Sequence, residues 1–196
     1  MKGGGTVIMI LSTLASEFSA ESSEVLERYI AKIAGGDKNA LADLYYKTSS
    51  SVYGFALSVL KNTQDAEDVL HDSFINIFSA AGSYVPKGKP MAWILTVAKN
   101  LCYMKLRDRN KLSDLPQEDW EAYIEGSEKM SLEDKIVLRE CMKTLSDEER
   151  QIIILHAVAG FKHREIASFL HLPLATVLSK HRRSLIKLKN VLEGGI

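Results

Sequence analysis

Apolar positions along this chain recur every three or four residues, the spacing of one face of an α-helix. Val25, Leu26, Tyr29, Ile30 and Ile33 predict a helix over Ser22–Ala34; Gly35-Gly36 ends it and Asp37 can cap the next. Leu41, Leu44, Tyr45, Val52, Phe55, Ala56 and Val59 predict a long helix over Lys38–Leu60, broken at Lys61-Asn62-Thr63. Ala66, Val69, Leu70, Phe74, Ile77 and Ala81 mark a third over Gln64–Ala81, ended by Gly82. Ser83–Lys89 holds Pro86 and Gly88 and reads as a loop. Pro90 then opens a helix to about Lys111, with Trp93, Ile94, Val97, Leu101 and Met104 on its apolar side. Leu112–Met130 reads as a linker with a short helical piece around Trp120–Ile124. Ser131-Leu-Glu-Asp134 and Ser146-Asp-Glu-Glu149 fit the capping-box pattern and start helices near Leu132–Leu145 and Asp147–Ala159. Strand-like alternation is scarce and prolines number four, so the fold class is all-α.

The last stretch, Phe161–Lys189, reads as helix, turn, helix. Ala167 allows a close crossing, Leu172 and Val177 flank the turn, and Pro173 suits the start of the second helix. At about 100° per residue, Leu174, Val177, Leu178, His181, Leu185, Leu188 and Leu192 fall on one stripe. Thr176, Ser179, Lys180, Arg183 and Lys187 fall opposite, where they could reach phosphates and base edges in a major groove. An ordinary amphipathic surface helix would show the same pattern.

Charge changes the picture by its distribution. Formal net charge is zero, yet Lys99, Lys105, Arg107, Arg109 and Lys111 stand against Asp108 alone, and seven cations between Lys162 and Lys189 stand against Glu165 alone. Between these segments, Ser113–Glu128 carries Asp114, Glu118, Asp119, Glu121, Glu125 and Glu128 without any Lys or Arg. Two basic segments around an acidic one suggest two nucleic-acid-facing modules and a linker. On Gln64–Ala81, Asp65, Asp68, Asp72 and Asn76 share a face near Ile75, either plain solvated surface or a dock for a basic partner. In the loop, Tyr84 stands with Lys87 and Lys89, a cradle for an unstacked base or a plain connector. On the next helix Thr96, Lys99, Asn100, Tyr103 and Arg107 project together, a mixture suited to melted DNA.

Cys102 and Cys141 are far apart and lie in no Cys/His ligand frame, so neither a disulfide nor a metal site is expected. Met1–Ala20 reads as an N-terminal extension or short helix, with a signal peptide as the other reading; no other stretch is apolar enough to span a membrane.

Three segments in this order, QDAEDVLHDSFINIF, KPMAWILTVAKNLCYMKLRDRNK and LSDEERQIIILHAVAGFKHREIASFLHLPLATVLSKHRRSLIKL, resemble bacterial RNA polymerase sigma factors of the sigma-70 family. The short layout is similar to the extracytoplasmic-function group. The resemblance covers roughly Ser22 to Glu193. It implies two small helical domains: region 2 over 21–112 and a region 4 helix-turn-helix over 131–196, with a linker at 113–130 after an extension at 1–20. It implies that Asp65, Asp68, His71, Asp72 and Ile75 dock on the β′ clamp of core RNA polymerase. It also implies that Tyr84, Lys87 and Lys89 capture a flipped base of the minus-ten element, which Lys99, Asn100, Tyr103 and Arg107 contact as it melts. Thr176, Ser179, Lys180, Arg183 and Lys187 would read the minus-thirty-five element. Implied partners are core polymerase (β′ clamp and β flap), promoter DNA and an anti-sigma factor, in the cytoplasm, with no catalysis, cofactor, metal or small-molecule substrate. The chain departs from the family where His171 replaces a frequent Gly, Leu178 and Leu185 replace bases, and His181 replaces an aliphatic residue.

Two other classes stay in view. A self-sufficient helix-turn-helix regulator would use Ser22–Lys111 to sense or dimerise. An enzyme would need His71, His156, His163, His171 or His181 in a site, and none sits in an H-E-x-x-H frame.

Overall fold

The computed structural model describes residues 23–112 and 140–193, with side chains to 108 and 192 respectively. These fall into two units, and every regular element among the described residues is helical. The N-terminal extension, the linker at 113–130 with its Trp120–Ile124 piece, and the Ser131 capping box lie outside the described residues. No helix among them is long and apolar enough to cross a membrane.

The first unit holds α1 (Ser23–Ala34), α2 (Lys38–Leu60), α3 (Thr63–Ala80), a 3-10 turn (Ala81–Ser83) and α4 (Pro90–Leu112). Local chemistry sets the ends. The Asp37 side chain accepts from Asn39 N at 2.9 Å and Ala40 N at 3.1 Å, and Asn62 accepts from Asp65 N at 2.9 Å. These side chains satisfy donors that a helix start leaves open. At the far end of α2, Lys61 takes the left-handed conformation (φ 56°) and its N–H donates to Leu57 O at 2.9 Å.

α2 is the central helix: from Ser51 to Leu60 only Tyr53 and Val59 are not buried. Its buried hydroxyls turn back on their own helix, Thr48 Oγ1 donating to Leu44 O at 2.7 Å and Ser58 Oγ to Phe55 O at 2.6 Å. Against it pack Leu26, Ile30 and Ile33 of α1, Ala66, Val69, Phe74 and Ile77 of α3, and Ile94, Leu95, Ala98 and Cys102 of α4. Two details depart from the periodicity. Tyr45 is at the surface, its ring 4.8 Å from that of Phe74. The buried face of α4 runs through Ile94, Leu95, Ala98 and Cys102, so Met104, expected inside, is exposed. The rotation has a cause: Lys105 follows the buried stripe and meets α3 carboxylates.

The described part of the second unit holds helical residues at 140–143, then α5 (Asp147–Ala157), α6 (His163–Leu170) and α7 (Leu174–Glu193). The Ser146–Glu149 capping box forms: Ser146 N donates to Glu149 Oε2 at 2.9 Å and Glu149 N to Ser146 Oγ at 3.4 Å. Cys141, Leu145, Ile153 and Leu188 make one buried cluster. Arg150 is buried beside it and its Nε donates to Met142 O and Leu145 O, both at 3.1 Å. The guanidinium thus caps Leu145 O and gives Met142 O, which Leu145 N also reaches at 3.3 Å, a second donor. Pro173 precedes α7 rather than opening it, its carbonyl accepting from Thr176 N and Val177 N.

Candidate functional site

On α3 the acidic residues divide into two sets. Lys105 Nζ of α4 donates to Asp65 Oδ1 at 3.0 Å and to Asp68 Oδ2 at 2.8 Å. This hydrogen bond holds the Asp68 carboxyl below its ordinary range, and the two carboxylates raise Lys105 despite its partial burial. His71 and Asp72 are exposed, as is Ile75, 63% of whose surface meets solvent. His71 Nδ1 lies 2.9 Å from Glu67 O, so the ring donates there. An outward ridge of His71, Asp72 and Ile75 remains, with Asp68 half-exposed at its edge.

The loop is tied down rather than splayed. Tyr84 Oη donates to Glu27 Oε1 of α1 at 3.1 Å, Gly88 N donates to the same oxygen at 2.8 Å, and the Tyr84 ring lies 4.9 Å from that of Trp93. Burial and then the Glu27 carboxylate push the Tyr84 phenol up to about 12. Tyr84 therefore anchors the loop, and Lys87 and Lys89 are its exposed cations. Glu27 carried no signal in the sequence, since its two partners lie on a distant loop. Beyond the loop, α4 presents Thr96, Asn100, Tyr103 and Arg107 on one exposed face. Lys99 flanks them half-buried, its Nζ 5.9 Å from the centre of the Tyr103 ring. Burial lowers its ammonium from the ordinary lysine value.

α7 turns differently from the stripe expected for it. Val177, Ser184 and Leu188 are buried, with His181 half-buried between them. Leu178 and Leu185, expected to pack, are 47% and 41% exposed. Lys180 and Lys187, expected to face DNA, reach back instead: Lys180 Nζ lies 2.9 Å from Glu148 Oε2, and Lys187 Nζ 2.6 Å from Glu149 Oε2. Burial alone would raise Glu149, but Lys187 and the Ser146 N–H hold its carboxyl below its ordinary value. Ser179 and Arg183 are fully outward and Thr176 partly so. Arg182 joins them on the exposed face; the displaced leucine stripe hid it from periodicity. His171 takes the left-handed conformation (φ 56°, ψ 37°) that a glycine would fill without strain.

The structure also gathers three histidines that lie apart in sequence. His156, His163 and His181 offer ring nitrogens that all lie within 4.8 Å of one another. Burial first, then the neighbouring imidazoles, push His181 down to about 4, and the same causes lower His163. Cys102 and Cys141 are free and buried, and desolvation pushes their thiols up to about 12 and about 11. Such thiols are poor nucleophiles.

A helical unit with an acidic-apolar ridge and a polar-aromatic face, followed by a helix-turn-helix, defines a promoter-binding transcription factor. Comparison with known proteins names the class further. Residues 44–112 match the family described as Sigma-70 region 2, and residues 135–188 match Sigma-70, region 4. The ECF RNA polymerase sigma factor SigK of Mycobacterium sp. (strain KMS) is 32% identical over 174 residues, covering 85% of this chain and 90% of that protein. SigK of Mycobacterium tuberculosis is 27% identical over 178 residues, 87% and 95% of the two chains. Among solved structures, CnrH in complex with the cytosolic domain of CnrY aligns with a TM-score of 0.61 at 21% identity, over 88% of this chain and 99% of that one. The sigma factor RpoE of Bartonella quintana, bound to the anti-sigma factor NepR, aligns at 0.62 and 20%, over 78% and 96%. These two show the same fold. The chain belongs to the extracytoplasmic-function group of the sigma-70 family. It is a sigma factor, directing transcription through core RNA polymerase and promoter DNA.

Proposed function

We propose a division of labour among the exposed faces. The His71–Asp72–Ile75 ridge docks on the β′ clamp of core polymerase, where an apolar side chain is covered and a carboxylate meets cations. Asp65 and Asp68 act mainly within the protein, setting α3 against α4 through Lys105. Asn100, Tyr103 and Arg107, with Lys99 at their flank and Lys87 and Lys89 on the loop, meet the minus-ten element as it melts. Thr176, Ser179, Arg182 and Arg183 meet the minus-thirty-five element, while region 4 as a whole rests on the β flap. The chain acts by binding and performs no catalytic step, in the cytoplasm where polymerase and chromosome are. An anti-sigma factor, as NepR is to RpoE, would silence it by covering these faces.

The observation that carries this reading is the pairing on one small unit of an outward acidic-apolar ridge with a separate polar-aromatic face. A stand-alone regulator has no need of the first. Run-off transcription with purified core polymerase tests it. The full chain should give promoter-specific transcripts, and Asp72→Lys should weaken core binding on the order of 10-fold, about 1.4 kcal/mol, with Tm unchanged. Asp68→Lys should lower both affinity and Tm, because it also breaks the Lys105 pair. Absence of core binding, or an Asp72→Lys variant as tight as the parent, overturns the assignment.

A further inference from the structure

His156 closes the last turn of α5, His163 opens α6, and His181 lies on the inward face of α7. Their ring centres form a nearly equilateral triangle, 4.5 Å between His156 and His163, 4.6 Å between His163 and His181, and 4.7 Å between His156 and His181. Two of the contacts are edge-on, so ring packing alone could draw the three together. Their polar atoms argue for more than packing. His163 Nε2 is buried and has no hydrogen-bond partner, which apolar packing leaves unanswered. His156 Nδ1 lies 2.8 Å from Phe161 O. A carbonyl only accepts, so Nδ1 carries the proton and Nε2 keeps its lone pair. A metal-binding histidine is usually held this way, its second ring nitrogen donating to a backbone carbonyl.

We propose that His156, His163 and His181 form a site for one divalent transition-metal ion of the zinc, cobalt or nickel type. Three imidazoles are the donor set such ions take, in preference to magnesium or calcium, which require oxygen. At the usual metal–nitrogen distance, tetrahedral binding places the donors about 3.3 Å apart. Bringing the nitrogens from within 4.8 Å to that spacing asks the rings to turn about their side-chain torsions. The fourth position is left to water, since no carboxylate or thiol joins the cluster among the described residues. The ion would tie α5, α6 and α7 together from the inner side of the helix-turn-helix. Ser179 and Arg183 lie outside it, so the ion would set the pose of α7 without touching its exposed face. The site stands whether or not α7 reads DNA.

The test uses the full chain, tag-free and stripped with chelator, with Co2+ as the probe. One equivalent should bind with the visible absorption of a tetrahedral cobalt centre, Zn2+ should displace it, and either ion should raise Tm. His181→Leu, which restores an aliphatic side chain on the packed stripe, should keep the helical circular dichroism and lose affinity by at least about 100-fold, since supporting contacts alone are worth 10–100-fold. His163→Gln, similar in size, should do the same, whereas His71→Ala and His171→Ala should bind as the parent does. A folded parent that shows no cobalt spectrum and no Tm shift at millimolar ion overturns the proposal. So does binding that survives both His181→Leu and His163→Gln.

Discussion

The two units solve the same problem with different materials. Residues 23–112 surround α2 with aliphatic and aromatic side chains, and the buried polar groups are hydroxyls satisfied within their own helices. Residues 140–193 bury Ile152, Leu155, Phe161, Ile166 and Val177 in the same manner, but add the charged Glu149 and Arg150 to the buried set. Both units use a lysine of one helix to gather carboxylates of another: Lys105 takes Asp65 and Asp68, Lys187 takes Glu149. In the first unit the groups of this pair are partly exposed; in the second Glu149 is buried, in the first turn of α5. A sigma factor needs its promoter-reading helices held firmly but with their outer faces free, and both units add ion pairs between helices to their apolar cores.

The largest expected effect breaks this comparison directly. Arg150→Ala removes the guanidinium that donates to the Met142 and Leu145 carbonyls and opens a gap in the core. Losing the donor to Leu145 O and the buried packing should destabilise residues 140–193 by about 2–4 kcal/mol. Hydrogen exchange should report it there, with the amides of α2 unchanged. Equal loss of protection in both units would show that they do not hold themselves separately.

The second effect is a pH difference. Glu149 has a folded pKa below its unfolded value, so its contribution is fully present above about 4.5 and is lost as pH falls through the lower folded value. Asp68 follows the same sign from a lower starting point and is half-exposed, so its share is smaller. Urea melts of Glu149→Gln should therefore show a lower stability at pH 7 that closes on the parent as pH falls below about 4.5, while Asp68→Asn should differ less throughout. Taking the difference from the parent cancels the titration of His163 and His181, which parent and variant share. A Glu149→Gln curve parallel to the parent from pH 7 to 3 would place the stabilisation elsewhere.

Much of the helix plan was legible because the signals are local. Asp37 and the Ser146–Glu149 box act within three residues of themselves, and the structure uses both; Asn62, read only as part of a break, caps α3 as well. What periodicity could not supply was rotation about each axis. The α4 stripe turned so that Lys105, read as one of a basic run, faces α3, and on α7 Leu178 and Leu185 moved outward while Lys180 and Lys187 moved in. Each partner lies a whole element or more away, and no short pattern encodes such a distance. The histidines escaped for the same reason. Their only trace in the sequence was His181 standing on an otherwise apolar stripe.

The smallest effect sharpens a likeness between the units. Each ends a helix on a non-glycine residue in the left-handed region, Lys61 at φ 56° after α2 and His171 at φ 56° after α6. An L-residue there costs about 1–2 kcal/mol relative to right-handed backbone, and glycine avoids this at some cost in unfolded-chain entropy. His171→Gly should then stabilise residues 140–193 by about 0.5–1 kcal/mol, and Lys61→Gly should do the same for residues 23–112, both read by urea melts and local hydrogen exchange. His171 is exposed, and its cap rests on the backbone, its N–H donating to Ala167 O with Leu172 N donating to the same oxygen at 3.0 Å. Removing the imidazole leaves those bonds in place, so the gain there measures the backbone strain relieved less the entropy that glycine adds to the unfolded chain. A His171→Gly variant no more stable than His171→Ala would show that the left-handed turn stores no strain and that histidine at this corner is held by something other than its backbone.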